Sequence, residues 1–147
     1  MPDAKPLHPY NTLQPYLIIR NCGAAFDFYK AAFGATERMR ATRPDGRIGH
    51  AEIQIGDTCV MMADEHPDIG AFSPDHFGGS PVCLHVYVDD CDATFRRAIA
   101  AGAKQEREPA DQPYGDRMAG VQDPFGYKWW IATAIRSQSD HSAVAKQ

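Results

Sequence analysis

Apolar side chains recur along the chain with two periods, one typical of strands and one typical of helices. A short apolar run is followed by Phe26, Tyr29 and Phe33, which are spaced to lie on one face of a helix. Asn21 is a candidate N-cap for this helix, and Gly34 is a candidate stop at its other end. The pattern therefore predicts a strand and then a helix near the start of the chain.

The same order of patterns returns about 70 residues later. Gly56 and Gly126 each sit in a predicted hairpin turn, and they are 70 positions apart. Each half therefore has the predicted order β-α-β-β-β. The predicted strands are 12–19, 36–42, 47–55 and 58–64 in the first half, and 82–88, 104–108, 118–122 and 127–133 in the second. Chance similarity is the alternative, but the shared order and the constant shift favour an internal duplication.

The two modules lie within one predicted domain of the α+β class, residues 10–134. Module one is 10–64 and module two is 82–134. Between them, 65–81 is rich in Pro, Gly, Asp and His, and it is predicted to be a linking loop. The polar ends, 1–9 and 135–147, are expected to be flexible.

Composition limits the classes of function. The chain has 147 residues and a formal net charge of −4, so clustered positive charge for nucleic acid is absent. No stretch approaches the ~20 apolar residues of a membrane-spanning helix, and the N-terminus lacks a signal-peptide pattern. Four cysteines without a C-x-x-C pair indicate reduced thiols, and we expect a cytoplasmic protein.

Several short motifs carry a family resemblance over about residues 12–134. They are F-D-F-Y at 26–29, H-A-E at 50–52, Y-V-D-D at 87–90, Y-G-D-R at 114–117 and D-P-F-G-Y-K-W at 123–129. Together with the paired modules, they resemble the vicinal-oxygen-chelate superfamily of glyoxalase I, bleomycin-resistance proteins and extradiol dioxygenases. Within it, they are similar to the PhnB-type subgroup.

The resemblance implies a fold and a partner. Each module's mixed sheet would curl, the two sheets would form a cup, and helices would cover the outer faces. Homodimers are usual in this superfamily, so we expect a homodimer that binds a small-molecule ligand in the cup. Because strand side chains alternate, His50 and Glu52 would point into the cup, while Ala51 and Ile53 would face a helix.

The resemblance also bears on metal binding. Metal-dependent members place His or Gln on the first strand of each module and Glu on the last. Those positions fall on Gln14 and Cys83 for the first strands, and on Met62 (or Val60, in a shifted register) and Trp130 for the last. Both carboxylates are missing, and an indole N–H cannot ligate a cation. We expect no cofactor, the alternative being a divalent metal in a shifted site built from His50, Glu52 and His85.

The candidate residues line the expected cup. His50 and Glu52 are candidate catalytic residues. The candidate ligand-binding residues are Gln14, Tyr16, Met62, Cys83, His85, Tyr87, Arg117 and Trp130. Arg117 could instead pair with Asp116 or Asp123, and of the adjacent Trp129 and Trp130 one must pack under a helix.

The sequence thus predicts a small-molecule-binding protein with a degenerate metal site. The alternative is a metal-dependent lyase, isomerase or dioxygenase in which Glu52 acts as general base and His50 orients it. A purely structural or regulatory protein is a third hypothesis, which no motif supports.

Overall fold

A computed structural model describes residues 10–135. The chain divides into two compact units, one ending at His76 and the other beginning at Phe77, so the boundary falls inside the predicted linker. The segments predicted to be flexible were 1–9 and 135–147, and all of their residues except 135 lie outside the described residues. No helix within residues 10–135 is long and apolar enough to cross a membrane.

The first unit contains one mixed four-stranded sheet and one long helix. Its elements are β1 (Tyr16–Ile19), α1 (Cys22–Phe33), β2 (Thr36–Thr42), β3 (Ile48–Ile55) and β4 (Thr58–Asp64). The strand order is β1-β4-β3-β2, in which β1 runs parallel to β4 and the other pairs are antiparallel. This is the predicted β-α-β-β-β order.

The ends of α1 form as the sequence predicts. The Asn21 side chain accepts a hydrogen bond from the Ala24 N–H at 3.1 Å, which satisfies one free donor of the first turn. Gly34 takes a left-handed conformation with φ of 69° at the other end, where a side chain would be strained. These caps set the length of the helix that covers one face of the first sheet.

The second unit repeats the topology of the first. Its elements are β5 (Cys83–Tyr87), α3 (Cys91–Ala100), β6 (Lys104–Asp111), β7 (Asp116–Gln122) and β8 (Lys128–Ala134). The order is β5-β8-β7-β6, with β5 parallel to β8. The prediction of an α+β fold made of two βαβββ modules is confirmed, and neither sheet closes into a barrel.

The D-P-F-G turn between β7 and β8 is organised by one buried carboxylate. Asp123, 3% exposed, accepts hydrogen bonds from the Phe125 and Tyr127 N–H groups at 2.9 and 3.0 Å. Its other oxygen accepts the indole N–H of Trp129 at 2.9 Å. The motif therefore stabilises the turn and fixes the start of β8.

The linker differs from the predicted featureless loop. It holds a 3-10 turn at Pro67–Ile69 and a single-turn helix, α2 (Pro74–Phe77). The Glu65 carboxylate accepts hydrogen bonds from the backbone N–H and the hydroxyl of Ser73 at 3.0 and 3.1 Å. Local polar contacts of this kind give a loop order that hydrophobic periodicity does not reveal.

Candidate functional site

The face of the first sheet that points away from α1 carries a polar network. Glu52 on β3 lies opposite Met61 on β4, and Met61 lies opposite Tyr16 on β1. Directly paired residues share a face, so these three side chains point the same way. His50, two positions before Glu52, joins them there.

Three of these groups form a continuous hydrogen-bonded chain. The Tyr16 hydroxyl lies 2.8 Å from Nδ1 of His50, and Nε2 of His50 lies 2.9 Å from a Glu52 oxygen. A carboxylate can only accept, so Nε2 donates to Glu52, while the direction of the bond between Nδ1 and the tyrosine hydroxyl depends on the form of the ring. The chain runs from a partly exposed phenol to a carboxylate that is 4% exposed.

Glu52 is held by further donors. The Tyr10 hydroxyl lies 2.9 Å from both carboxylate oxygens, and the Cys59 thiol donates at 3.6 Å. The Arg38 guanidinium, on β2, is 3.9 Å away. Burial raises the pKa of Glu52, but hydrogen bonds from His50 and Tyr10 outweigh it, and the pKa lies below its ordinary value. Glu52 is therefore an ionised carboxylate that holds the surrounding side chains in place.

This geometry changes the roles predicted for His50 and Glu52. The two residues do lie together on one sheet face, as the alternation predicts. Glu52, however, is buried and committed to its donors, whereas Tyr16 forms the exposed end of the chain, with 47% of its surface accessible. A group that exchanges a proton with a ligand must reach it, and the Tyr16 hydroxyl is more accessible than the Glu52 carboxylate.

The placement of Met62 is corrected by the strand register. Met62 pairs with Ala51 and is completely buried, so it lies on the face that α1 covers. Its neighbour Met61 shares the face of Glu52. The predicted register was wrong by one residue because β4 is apolar on both faces, and a one-residue shift exchanges the two sides of a strand. Val60 lies on the covered side with Met62.

On the corresponding face of the second sheet, aromatic side chains replace the carboxylate network. Trp130 on β8 pairs with His85 on β5 and with Gly120 on β7. A Cβ built on Gly120 would lie 2.7 Å from Cζ3 of Trp130, so the indole lies across β7 only because position 120 has no side chain. Trp130 is partly exposed, whereas Trp129 is buried, as the alternation predicts.

Exposed residues of β5 complete this face. The His85 and Tyr87 rings are 5.0 Å apart, and Tyr87 is 56% exposed. The Tyr87 hydroxyl donates to the buried Asp116 carboxylate at 2.7 Å. That hydrogen bond and burial raise the pKa of the Tyr87 phenol. Cys83 is an exposed free thiol at the other end of β5.

The predicted partners of Arg117 were wrong. Its guanidinium binds Asp92 on α3 at 2.7 and 3.1 Å and Asp111 on β6 at 3.0 Å. It does not pair with Asp116 or Asp123. Because β7 alternates, Arg117 lies on the helix side of the sheet, opposite to Gly120, and two carboxylates already occupy its fork.

Gln14 lies just before β1 and is half-buried. Its side-chain oxygen is buried without a hydrogen-bond partner among residues 10–135. Among residues 10–135, Gln14 forms no hydrogen bond with Tyr16, His50 or Glu52.

Some residues of the site were not predicted from the sequence. Tyr10 precedes the predicted strands, and Arg38 reaches Glu52 from a β-bulge between Glu37 and Met39. A bulge shifts the alternation by one residue, so periodicity assigns the wrong face beyond it. Gly120 lies in a predicted strand, where an isolated glycine could have signalled a close approach.

The side chains at the two metal-ligand positions do not fit a divalent cation. Met61 and Trp130 occupy matching places on β4 and β8, and neither offers a charged oxygen. Both oxygens of Glu52 already accept hydrogen bonds. Within residues 10–135, no cluster of three or more His, Cys, Asp or Glu residues could hold a metal ion.

Comparison with known proteins connects this geometry to a family. The model of the Glyoxalase/Bleomycin resistance protein/Dioxygenase superfamily matches residues 11–131. The chain is 39% identical over 127 residues to the uncharacterized protein Mb0911c of Mycobacterium bovis, covering 84% of each. It is also 39% identical over 112 residues to the anthracycline biosynthesis protein DnrV of Streptomyces peucetius, covering 75% of this chain but 36% of DnrV.

A solved structure supports the same assignment. TioX from Micromonospora sp. ML1 superposes with a TM-score of 0.63 and 27% sequence identity, covering 87% of this chain and 99% of TioX. The family match spans both modules. The chain therefore belongs to the Glyoxalase/Bleomycin resistance protein/Dioxygenase superfamily.

Proposed function

We propose that this protein binds a planar aromatic small molecule without a metal, and that Trp130 is the surface on which the ligand stacks. One observation carries the proposal. The indole lies across Gly120 on the face of the second sheet that α3 does not cover, and it stays partly exposed. An indole in this position offers a broad flat surface to another ring system.

Neighbouring groups suit a ligand that combines rings with polar substituents. His85 lies beside Trp130 on the adjacent strand, and Tyr87 follows two positions later. The Tyr87 hydrogen is donated to Asp116, so the phenol oxygen keeps its acceptor capacity for a ligand hydroxyl. A mostly apolar surface with a few oriented polar groups is typical of small-molecule sites.

The name of one relative is consistent with this class of ligand. DnrV is described as an anthracycline biosynthesis protein, and anthracyclines are built on a fused planar ring system. The similar part covers 75% of this chain, but it is only 36% of DnrV. We transfer only the chemical class, a fused aromatic ring system, to the present chain.

The alternative of a metal-dependent enzyme with Glu52 as base has weaker support. Its two acidic ligands are replaced by Met61 and Trp130, as described above. Glu52 itself is held below its ordinary pKa and is shielded by Tyr10, so it is a weak and poorly accessible base.

Titration with a hydroxyanthraquinone, the ring system of an anthracycline, tests the proposal. We expect saturable binding, followed by the visible absorbance of the ligand. Trp130→Ala should weaken it at least about fivefold, since a stacked ring is worth about 1–3 kcal/mol. Trp130→Phe should retain much of it, because a flat surface remains.

Phe77→Ala is the matched control. Phe77 is a 68% exposed aromatic residue on α2, outside both sheets, and its truncation should leave the affinity unchanged. Equal affinity of the wild type and the Trp130→Ala variant would overturn the proposal, as would the absence of any saturable binding.

A further inference from the structure

Two positively charged side chains converge on the Trp130 indole. The Arg107 guanidinium, from β6, lies 5.6 Å from the ring centroid, and the Lys128 ammonium, from the start of β8, lies at the same distance. Both distances fall within the ~6 Å reach of cation–π attraction. Arg107 pairs with Gly120 across the sheet, so the absent side chain at 120 lets the indole extend toward it.

Neither cation is paired with a carboxylate in the part of the chain that the structure describes. Among residues 10–135, Arg107 and Lys128 form no ion pair, whereas Arg117 on the other face of the same sheet holds two carboxylates. Cations that contact a partly exposed ring and meet no carboxylate among the described residues leave a positive potential on that surface.

The first module shows what the second lacks. Glu52 pairs with Met61 there, and Gly120 pairs with Trp130 in the second module, so Glu52 and Gly120 occupy matching places. In the first sheet the carboxylate at this place lies 3.9 Å from the Arg38 guanidinium. In the second sheet the carboxylate is absent and Arg107 lies beside the vacant position.

Two acidic residues also face this side of the second sheet. Asp116 stands four positions before Gly120 on β7, and it accepts the Tyr87 hydrogen bond. Glu106 is on the β6 bulge next to Arg107, with its Cβ 3.6 Å from the place of a Cβ on Gly120. Of the contacts to the Trp130 ring among the described residues, the charged ones are those of Arg107 and Lys128, and both groups are positive.

The geometry points to an anionic ligand: a planar aromatic carboxylate that stacks on Trp130 and places its charge between Arg107 and Lys128. This inference rests on the proposed function and names the charge of its ligand. A carboxylate matches the planar fork of a guanidinium and would supply the counter-charge that neither cation has within residues 10–135. A cationic ring compound would meet two like charges and is excluded on the same ground.

Equilibrium dialysis with naphthalene-2-carboxylate and with its neutral amide tests the inference. The two probes share a ring system and differ in charge. We expect the carboxylate to bind about fivefold more tightly, the ratio that a single exposed ion pair supports. In the Arg107→Gln/Lys128→Gln variant this preference should disappear while the amide still binds.

Two further variants sharpen the result. Glu106→Gln removes the nearby negative charge and should increase the preference for the carboxylate. Arg47→Gln removes an arginine of the first unit that likewise forms no ion pair among the described residues, and it should leave the preference unchanged.

The outcomes separate this inference from the function on which it rests. Equal, Trp130-dependent binding of both probes would overturn the inference and leave the proposed function standing. A preference that survives in the Arg107→Gln/Lys128→Gln variant would also overturn it. If neither probe binds in a Trp130-dependent way, the proposed function fails as well.

Discussion

Tyr10 closes over Glu52: its hydroxyl lies 2.9 Å from both oxygens of a carboxylate that is 42 residues away in sequence. The Arg38 guanidinium stacks on the Tyr10 ring at 5.0 Å, so the same two residues contact each other as well as the carboxylate. Tyr10, the first residue that the structure describes, thus donates a hydrogen bond to the buried carboxylate on β3.

Removing the charge of Glu52 should destabilise the protein. In Glu52→Gln, the amide cannot accept all of the present donors, and the nearly buried Arg38 side chain loses its counter-charge. We expect a loss of about 2–3 kcal/mol in the free energy of unfolding, measured with urea.

Glu37→Gln is the control for that experiment. Glu37 forms an exposed ion pair with Arg40 on the same edge strand, and its loss should cost less than about 0.5 kcal/mol. If both variants were equally stable, the contacts of the Glu52 carboxylate would not contribute to the stability of the fold.

The contribution of Glu52 should depend on pH. Its pKa is lower in the folded protein than in the unfolded chain, so the folded state stabilises the ionised form. That stability is present above the unfolded pKa and is lost as the pH falls through the folded value. The difference in unfolding free energy between wild type and Glu52→Gln should therefore shrink from about pH 6 to about pH 3. A difference that is constant, or grows, over this range would contradict the assignment.

Gly120→Ala should displace the Trp130 indole. The added methyl group would lie 2.7 Å from Cζ3, well inside van der Waals contact, so the ring must rotate or β7 must shift. We expect a loss of about 1–3 kcal/mol and a changed near-ultraviolet circular dichroism spectrum.

Gly23→Ala provides the comparison, because a Cβ there meets only Asn21 Oδ1, at 3.6 Å, in the first turn of α1. Its stability should be unchanged or slightly higher. An unaltered spectrum in Gly120→Ala would show that the indole does not lie over β7.

Asp123→Asn should weaken the second module. The new amide group would oppose either the two backbone N–H groups or the indole N–H, since all three are donors. The expected cost is about 2 kcal/mol, with a lower melting temperature.

Asp57→Asn, in the exposed hairpin turn of the first module, should change stability by less than about 0.5 kcal/mol. Two variants with the same melting temperature would indicate that Asp123 is not the residue that stabilises its turn.

The topology could be predicted because local signals agree with it. The caps of α1, the glycine turns and the shift of about 70 residues all specify the same repeated unit. The opposite faces of Trp129 and Trp130 follow from strand geometry alone. The side chains at Met61 and Met62 could not be placed in the same way, because β4 is apolar on both sides and either register satisfies the pattern.

The site itself depends on contacts that no local pattern encodes. Tyr10 meets Glu52 across 42 residues, and Arg38 reaches it through a bulge. The partners of Arg117 come from α3 and β6, while the sequence places Asp116 next to it. Each of these partners is set by proximity in the folded protein, and the spacing of residues in the sequence carries little information about that proximity.

The two halves of the duplication differ at a place with large consequences, which holds Glu52 in one copy and Gly120 in the other. In the first copy the carboxylate stabilises its own sheet, so substitutions of Glu52 should lower the free energy of unfolding. The second copy has no carboxylate at this place, and its partly exposed Trp130 ring lies beside two positively charged side chains. Sequence differences among relatives that change ligand preference should consequently accumulate in the second module, around Gly120. Substitutions there can alter the ligand-binding surface without unfolding the chain.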